Sequence, residues 1–346
     1  MECRSGQFCF TPGKGLVLDE AFEFRLLNDF QRDFPLVPEP FVVLAEQLEG
    51  DEIQVLEALG RLQEEGVVSR VGAVFSPRRI GASTLAALAV PPERLDAVAD
   101  EVSACAEVNH NYERENVWNL WFVATTADAP RLARLLAEIE EQTGCPMIRL
   151  PLLEEFHIDL GFDLKEGRSA AAAVRPASPG DAHGPLRPME RRLMAALQDG
   201  LPFEPRPFKT LGAKAGLAEE AVLALLREWQ QRGLIKRFGV VVRHHELGWS
   251  ANAMCVWDVP DAEASALGQR LALMPGVTLC YRRARDLPAW PYNLYCMIHG
   301  RARDEVEARV AVIVADLSLA GYPHEVLFSL RRYKQRGAHY LPYLLA

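Results

Sequence analysis

Apolar residues along the chain recur first with a helical period and then with a strand period, and this order occurs twice. The helical spacing predicts three short helices in each half, at residues 19–33, 38–48 and 51–65 and again at 188–199, 205–215 and 217–232. One strand follows each set, at 67–75 and at 234–242. Three helices before a strand that ends at a glycine-containing turn predict a helix-turn-helix unit with a wing.

A second pattern follows each predicted wing, with the element order β-α-β-β-α-β. In the first half these elements are predicted at 84–90, 93–104, 106–113, 117–125, 129–142 and 147–154. In the second half they are predicted at 251–259, 261–273, 277–284, 292–299, 303–320 and 324–332. This order is that of a ferredoxin-like sandwich. We therefore predict an α+β protein made of two tandem copies, each a winged helix-turn-helix plus a ferredoxin-like domain, that form an internal pseudo-dimer.

The two copies are also similar in sequence. Residues 66–74 match residues 233–241 at a constant offset of 167, and after a two-residue slip residues 108–114 match residues 277–283. Self-similarity at a fixed offset indicates duplication. The stretch between the copies is rich in Ala, Pro and Gly, which is typical of a linker. We expect helix-turn-helix domains at 19–75 and 188–242, ferredoxin-like domains at 76–162 and 243–346, and a linker at 163–187.

Composition narrows the class of protein. The formal net charge is -9, no apolar run approaches the length of a membrane span, and the N-terminus lacks the pattern of a signal peptide. We therefore expect a cytoplasmic protein that does not act at a membrane. The seven cysteines form no CxxC pair and are odd in number, so reduced thiols are expected rather than a disulfide framework or a zinc site.

The helix that would read DNA is acidic in both copies. Residues 51–65 carry five carboxylates against Arg61, and residues 217–232 carry three glutamates against two arginines. A recognition helix must present basic or amide groups to bases and phosphates, whereas these helices would be repelled by phosphate. We expect no nucleic-acid partner and a role for the helices as a scaffold or a lid.

Basic residues concentrate instead on three strands of the second copy. The clusters are Lys236, Arg237 and Arg243; Arg282, Arg283 and Arg285; and Arg331, Arg332, Lys334 and Arg336. Aromatic residues are interleaved with them, among them Tyr281 and Tyr292. If the sheet brings these strands together, they form a pocket for a large flat ligand with several anionic arms. The alternative is a set of solvated strand ends paired with carboxylates.

Four segments carry a family resemblance: VNHNYERE and LPLLEEFHIDLGFDL in the first copy, and RFGVVVRHHELGWSANAMCVWDVP and LFSLRRYKQRGAHYLPY in the second. With the element order, they resemble the siroheme decarboxylases, the Lrp/AsnC-related family of haem d1 and alternative haem biosynthesis. The first copy is similar to the D-type subunit and the second to the L-type. The resemblance covers almost everything after residue 20.

The resemblance implies removal of the C12 and C18 acetate carboxyl groups of siroheme, giving 12,18-didecarboxysiroheme and carbon dioxide. It implies no cofactor beyond the iron of the siroheme substrate. Siroheme is the expected partner, other enzymes of haem d1 biosynthesis are a further expectation, and the chain is expected to be a monomeric pseudo-heterodimer or a dimer of it.

Histidines are the leading candidates for the proton transfer that such a reaction needs, because imidazole titrates near neutral pH. His110 and His157 stand where the second copy has Leu279 and Lys334, which predicts one catalytic pocket on the first copy's sheet. They would serve as acid and base partners, or His110 as an axial contact to the siroheme iron, and the sequence does not separate these roles. His245 is the third candidate. His299 is expected to be structural or on the surface.

Arginine and tyrosine side chains would hold the carboxylates of the substrate. The predicted clamps are Arg70, Arg114, Arg149, Arg237 and Arg283, with Tyr112 and Tyr281 as donors. Glu154 and Glu155 depart from this pattern, because they stand where the second copy has Arg331 and Arg332. Either this edge of the first pocket faces solvent, or the second pocket is the working one.

Two other functions remain open from the sequence. An Lrp/AsnC-like, ligand-responsive transcription regulator would share the domain order, and a tetrapyrrole carrier without chemistry would share the basic pocket. The acidic third helices favour the enzyme over the regulator.

Overall fold

The computed structural model describes residues 21–76, 80–158, 162–163, 168–169, 186–243 and 251–337. The first half contains α1 (Phe22–Asp29), α2 (Pro40–Leu48), α3 (Glu52–Glu64), β1 (Val68–Phe75), β2 (Ala82–Leu88), α4 (Leu95–Ala104), β3 (Val108–Arg114), β4 (Leu120–Thr126), α5 (Ala129–Thr143), β5 (Met147–Ile158), β6 (Phe162–Asp163) and β7 (Arg168–Ser169). The second half contains α6 (Pro188–Leu197), α7 (Pro207–Ala215), α8 (Glu219–Gln231), β8 (Ile235–Val242), β9 (Ala251–Trp257), α9 (Asp261–Leu271), β10 (Val277–Arg283), β11 (Leu294–Gly300), α10 (Arg303–Asp316) and β12 (His324–Gln335). The predicted fold class and element order are confirmed.

Local sequence sets several helix ends. Asp51 accepts a hydrogen bond from the Gln54 backbone N–H at 2.9 Å, and the Gln54 side chain accepts one from the Asp51 backbone N–H at 3.1 Å. This reciprocal capping satisfies two N–H groups that have no partner within α3. Pro40 opens α2, where a missing N–H costs nothing. Gly144 ends α5 with a φ of 60°, a left-handed conformation that glycine adopts without strain.

The six helices of the two helix-turn-helix units share one hydrophobic core around β1 and β8. Trp229, Phe41 and Phe208 are fully buried in it. The prediction that the two strands are separate wings is wrong, because β1 and β8 pair with each other in an antiparallel ribbon. Backbone bonds also cover the outer edges of this ribbon: Val240 donates to Phe30 at 2.8 Å and Leu201 donates to Val71 at 2.7 Å. Both copies therefore contribute to one helical layer.

Within each copy the strands follow the ferredoxin-like order, β3-β4-β2-β5 and β10-β11-β9-β12. The last strand of each copy is long and continues into the other copy. β5 pairs with β2 from Met147 to Pro151 and then with β10 up to Ile158. β12 does the same with β9 and then β3. Twelve extended residues span about 40 Å, enough to serve both sheets, and the two exchanges close an eight-stranded barrel.

Helices cover the outside of the barrel and apolar side chains fill much of its inside. α4 and α5 pack on the first copy's strands, and α9 and α10 pack on the second copy's strands. The interior cluster contains Trp121, Tyr295 and Leu150, all less than 3% exposed. In the part of the chain that the structure describes, no helix combines the length and apolarity that a bilayer crossing requires.

Candidate functional site

The β1–β8 ribbon lies against one end of the barrel, which we call the ribbon-facing end. Gly337, just after β12, packs on the Arg70 guanidinium of β1, and a Cβ at Gly337 would lie 2.7 Å from Arg70 Nη1. On the other side, Lys236 of β8 forms an ion pair with Glu155 of β5. The ribbon therefore contacts both long strands, at the two places where the copies join. We call these junctions the first seam (β3 with β12) and the second seam (β5 with β10).

The first seam carries His110 and Tyr112. His110 lies opposite Gln335 and Tyr112 opposite Arg332. The two rings stack with centroids 6.4 Å apart. Burial, reinforced by the positive charge of Arg70, lowers the pKa of His110 to about 4, so its imidazole is neutral at pH 7. Its Nδ1 atom is buried and accepts or donates no hydrogen bond among the described residues.

Positive charge surrounds Tyr112. Burial raises the pKa of its hydroxyl, and Arg114, Arg332 and Arg243 oppose that rise. The Arg114 guanidinium lies 5.8 Å from the centroid of the Tyr112 ring. A neutral phenol beside guanidinium groups is suited to donate a hydrogen bond to a bound carboxylate.

The second seam carries His157, Glu155 and Tyr281. His157 lies opposite Cys280 and Glu155 opposite Tyr281. Burial lowers the pKa of His157; Arg32 lowers it further and Glu155 opposes both effects. Burial raises the pKa of Tyr281, and the Arg283 guanidinium lies 5.2 Å from the Tyr281 ring centroid. The second seam thus repeats the tyrosine–arginine arrangement of the first.

Three arginines, Arg32, Arg70 and Arg237, lie close enough to affect one another or the two histidines. Burial, then Arg32 and Arg70, lowers the pKa of Arg237 to about 9. Arg70 also acts on His110, and Arg32 also acts on His157. Each histidine therefore has one arginine of this set as a neighbour, Arg70 at His110 and Arg32 at His157, and Arg237 lies near both of these arginines.

Two of the site's guanidinium groups are buried among neutral partners. Arg114 is 7% exposed and donates to the Leu327 carbonyl at 3.0 Å, and burial lowers its pKa to about 10. Arg237 donates to the Gln31 carbonyl at 2.6 Å. Among the described residues, no carboxylate pairs with either group. Burying an unpaired charge is costly, so an arrangement of this kind is suited to a bound anion.

The predicted site residues fall into three groups. Arg70 lies near His110, Arg114 near Tyr112 on the first seam and Arg283 near Tyr281 on the second, while Arg237 lies near Arg32 and Arg70, and Arg32 near His157. Both histidines lie on strands of the first copy, and the strand beside each comes from the second copy, so the second copy borders both positions; a single catalytic pocket on the first copy's sheet stays a prediction. His110 and His157 lie on opposite seams rather than side by side. His245 and the linker at 164–167 and 170–185 lie outside the described residues.

Arg149 does not belong to the site. Its side chain is 44% exposed and forms an ion pair with Glu140 of α5, on the outside of the barrel. Register explains the difference: Arg149 pairs with Ala86, whose side chain packs in the core beneath α4 and α5. Adjacent strand positions point to opposite faces, and the sequence alone does not show which face is inside.

Arg32 is a residue of the site that the sequence did not predict, since it lies outside the basic clusters. Arg243, Arg332 and Lys236 belong to the predicted basic clusters and lie near Tyr112 or Glu155. His299 is also buried rather than on the surface: it contacts Asn252 through Nδ1, and burial with Arg114 and Arg309 lowers its pKa to about 4. Glu154 points away, toward α9: it accepts a hydrogen bond from Ser265 of that helix at 2.8 Å and forms an ion pair with Arg282 of β10 at 2.6 Å.

Other features of the described residues lie elsewhere. A cleft of about 390 Å³ opens between α7 and α8, lined by Arg206, Lys209 and Glu219 among others, and belongs to the helical layer. Five cysteines are free thiols, and no group of three or more His, Cys, Asp or Glu side chains in the described ranges could hold a metal ion.

Comparison with known proteins yields two matching family models, each found twice. One, described as an AsnC-like ligand binding domain, matches residues 79–157 and 246–334. The other, described as a siroheme decarboxylase NirDL-like HTH domain, matches residues 23–68 and 190–236. The doubled matches agree with the internal repeat.

Individual relatives extend the match over the chain. The siroheme decarboxylase NirDL subunit of Paracoccus denitrificans (strain Pd 1222) is 47% identical over 93% of this chain and 98% of its own length. The siroheme decarboxylase NirD subunit of Pseudomonas aeruginosa (strain PAO1) is 51% identical over 42% of this chain and 96% of its own length. A crystal structure of the siroheme decarboxylase NirDL in co-complex with an iron-uroporphyrin III analogue matches with a TM-score of 0.66 and 29% identity, covering 93% of this chain and 95% of that one.

Proposed function

Since this chain belongs to the NirDL-like siroheme decarboxylase family, as its sequence predicted, we propose that it removes the C12 and C18 acetate carboxyl groups of siroheme, giving 12,18-didecarboxysiroheme and carbon dioxide. Family membership makes it a carboxy-lyase in which both subunit types are fused. Siroheme carries eight carboxylates, so its recognition requires several positive groups. The buried, carboxylate-free guanidinium groups of Arg114 and Arg237 are the observation that carries the proposal.

The residues of the ribbon-facing end have distinct parts in this reaction. Arg70, Arg237, Arg114 and Arg283 bind carboxylates of the substrate, and Tyr112 and Tyr281 donate hydrogen bonds to them. The barrel wall excludes water from the carboxylate that leaves, and the electron pair of the broken bond is taken up by the macrocycle. His110 and His157 are the proton-transferring groups. Their separation across the barrel suits a flat macrocycle that meets one histidine at each side.

His110 has a second candidate contact. Its imidazole is neutral at pH 7, and its buried Nδ1 has no hydrogen-bond partner in the described part of the chain. A neutral imidazole nitrogen is a common axial ligand of haem-type iron. The iron belongs to the substrate, and we propose that no further cofactor is needed.

The decisive experiment incubates the purified chain with siroheme under anaerobic conditions, without added cofactor and with EDTA present. We expect the mass of the product to fall by two carbon dioxide units. Siroheme that is bound but unchanged would support a carrier instead and would contradict the proposal.

A transcription regulator is the alternative that shares the fold. Its third helix should carry a positive face, whereas the ion pairs of Arg61 with Glu23 and Glu65 occupy the single basic residue of α3. We expect no retention on DNA-cellulose at low salt, where electrostatic binding is strongest.

A further inference from the structure

The loop between β10 and β11 is longer than its counterpart in the first copy. Ten residues connect Arg283 to Leu294, whereas five connect Arg114 to Leu120. The longer loop carries Trp290, whose side chain is 2% exposed and belongs to the interior cluster of the barrel. Trp290 is therefore an addition to the repeat, and its effect is specific to one half of the site.

Backbone hydrogen bonds hold Trp290 in place. Its N–H donates to the Asp286 carbonyl at 2.7 Å, and the Asp286 N–H donates to the Trp290 carbonyl at 3.0 Å. The Asp286 carboxylate accepts a hydrogen bond from the Arg149 backbone N–H of β5 at 2.7 Å. On the other side of Trp290, the Pro291 carbonyl accepts a hydrogen bond from the Arg285 side chain at 2.7 Å. The indole therefore enters the barrel from a loop that is fixed on both sides.

Inside the barrel, Trp290 lies between equivalent residues of the two copies. Trp121 of β4 lies opposite Tyr112. In the same way, Tyr295 of β11 lies opposite Tyr281. The ring centroids of Trp290 and Trp121 are 5.1 Å apart, and Trp290 Nε1 donates to the Tyr295 hydroxyl at 2.7 Å. One indole thus contacts both copies, and it contacts them in different ways.

The chemistry of the two equivalent side chains explains this difference. Trp121 Nε1 donates to the carbonyl of Trp118, three residues before it. The Tyr295 hydroxyl donates to the carbonyl of Tyr292, also three residues before it, at 3.2 Å. An indole N–H can only donate, whereas a hydroxyl that donates can still accept. Tyr295 is therefore the member of the pair that can receive the N–H of Trp290.

Tyr295 connects Trp290 to an arginine of the site. The central carbon of the Arg283 guanidinium lies 5.8 Å from the Tyr295 ring centroid and 5.2 Å from the Tyr281 ring centroid. Arg283 Nη1 donates to the Leu150 carbonyl at 3.0 Å. A guanidinium is attracted to the face of an aromatic ring, so two rings and a carbonyl together set the orientation of this group.

The equivalent arginine of the first seam has fewer such contacts. Arg114 donates to the Leu327 carbonyl at 3.0 Å and lies 5.8 Å from the Tyr112 ring centroid. In the described part of the chain, no contact with the ring of Trp121 accompanies these two. The second seam therefore holds its arginine by one more ring, and that ring is the one that Trp290 contacts.

Resting on the proposed function, we propose that Trp290 is a positioning residue for substrate binding. Its N–H fixes the hydroxyl end of Tyr295, and the Tyr295 ring holds the Arg283 guanidinium where it binds a carboxylate of the substrate. A guanidinium that is already oriented loses less conformational freedom when the anion binds, which raises the affinity. Trp290 acts through Arg283 and not on the bond that breaks.

Trp290→Phe tests this role, because it removes the N–H and keeps an aromatic ring inside the barrel. We expect the Kd for siroheme, measured by stopped-flow absorbance before turnover, to rise roughly 3- to 10-fold, since one neutral hydrogen bond is lost. The rate of carbon dioxide release from bound siroheme should stay within about twofold of the wild-type rate, because the reacting groups are unchanged. Tyr295→Phe, which removes the acceptor, should raise the Kd by a similar factor.

The same change in an Arg283→Met background separates positioning from packing. If Trp290 acts through Arg283, Trp290→Phe should change the Kd by less than about twofold once the guanidinium is gone. A packing effect does not depend on Arg283, so the loss of thermal stability that Trp290→Phe causes should be equal in both backgrounds.

Trp229→Phe is the matched control. Trp229 is also fully buried, and its Nε1 donates to Glu190 at 3.2 Å, but it lies in the core of the helical layer. This variant should lose stability and should bind siroheme as the wild type does.

An unchanged Kd in Trp290→Phe, or the same fold increase with and without Arg283, would overturn the assignment. If Trp290→Phe did not fold, Tyr295→Phe in the two backgrounds would decide in the same way. A wild type that binds siroheme and releases no carbon dioxide would refute the proposed function alone, because the Kd comparison would still test Trp290. An active wild type with an unchanged Kd in Trp290→Phe would refute only the role of Trp290.

Discussion

Gly72 and Gly239 lie directly opposite each other in the β1–β8 ribbon, and they are the same position of the two sequence copies. Equivalent residues of two copies can pair with each other only where the two-fold axis that relates the copies passes between them. The pseudo-two-fold axis of this chain therefore passes between Gly72 and Gly239. The first and second seams lie on either side of this axis. The site is therefore built from two related halves, each with a tyrosine, arginines and one candidate histidine.

His110→Ala and His157→Ala should each reduce decarboxylation by roughly 10²–10⁴-fold, the usual contribution of a general acid or base. Siroheme binding should persist, because the guanidinium groups that hold the carboxylates are unchanged. Single-turnover assays with siroheme, together with titration of its absorbance, separate the two effects. Full activity in both variants would refute the assignment of these histidines.

Arg237→Met should affect binding and stability in opposite directions. Loss of a charged hydrogen bond worth about 1.5–3 kcal/mol should raise the Kd for siroheme roughly 10- to 100-fold. The ligand-free protein should be as stable as the wild type or more so, because a buried charge without a carboxylate partner is removed. Arg149→Met, outside the barrel, is the control and should leave the Kd unchanged. A Kd of Arg237→Met within twofold of the wild-type value would contradict the clamp assignment.

Folding stability should fall as the pH drops from 7 to 5. The pKa of His110 in the folded state, about 4, lies below its ordinary value of 6.5, so protons bind more tightly to the unfolded chain. The stabilisation is therefore present above pH 6.5 and is lost as the pH falls toward 4. His299, whose pKa is also lowered to about 4, adds to the effect.

Urea unfolding at the two pH values measures this loss. Because His110→Gln lacks the titrating group, its stability should fall between pH 7 and pH 5 by about 2 kcal/mol less than that of the wild type. Equal losses in the two proteins would show that His110 is not shielded from solvent in the folded state.

Gly239→Ala should destabilise the ribbon. An added Cβ would lie 2.4 Å from the Gln31 carbonyl oxygen, a backbone atom that cannot move independently, and overpacking of this kind costs roughly 1–3 kcal/mol. Gly60→Ala is a control in α3, where an added Cβ meets nothing within 4 Å and helix propensity predicts a gain of about 0.5–1 kcal/mol. Thermal unfolding of both variants checks the prediction, and similar melting temperatures would argue against the close approach at Gly239.

The sequence by itself determined the repeat, the order of the elements and the family. These depend on local periodicity and on residue identity, both of which can be read along the chain, and the helices and strands lie within a few residues of their predicted positions. The ends of β5 and β12 are an instructive exception. Their predicted ends, at 154 and 332, fall short of Ile158 and Gln335 because the extra residues pair with strands of the other copy.

Only the tertiary structure decided which strands pair, and the site depends on those pairings. Period-two alternation shows that a strand has two faces, but neither which strand lies beside it nor which face is inside. For this reason β1 and β8 form a ribbon rather than two wings, Arg149 lies outside the barrel, and Glu155 lies inside while Glu154 does not. His110 and His157 lie on opposite seams because both long strands cross between the copies, and such long-range pairing leaves no mark on local sequence.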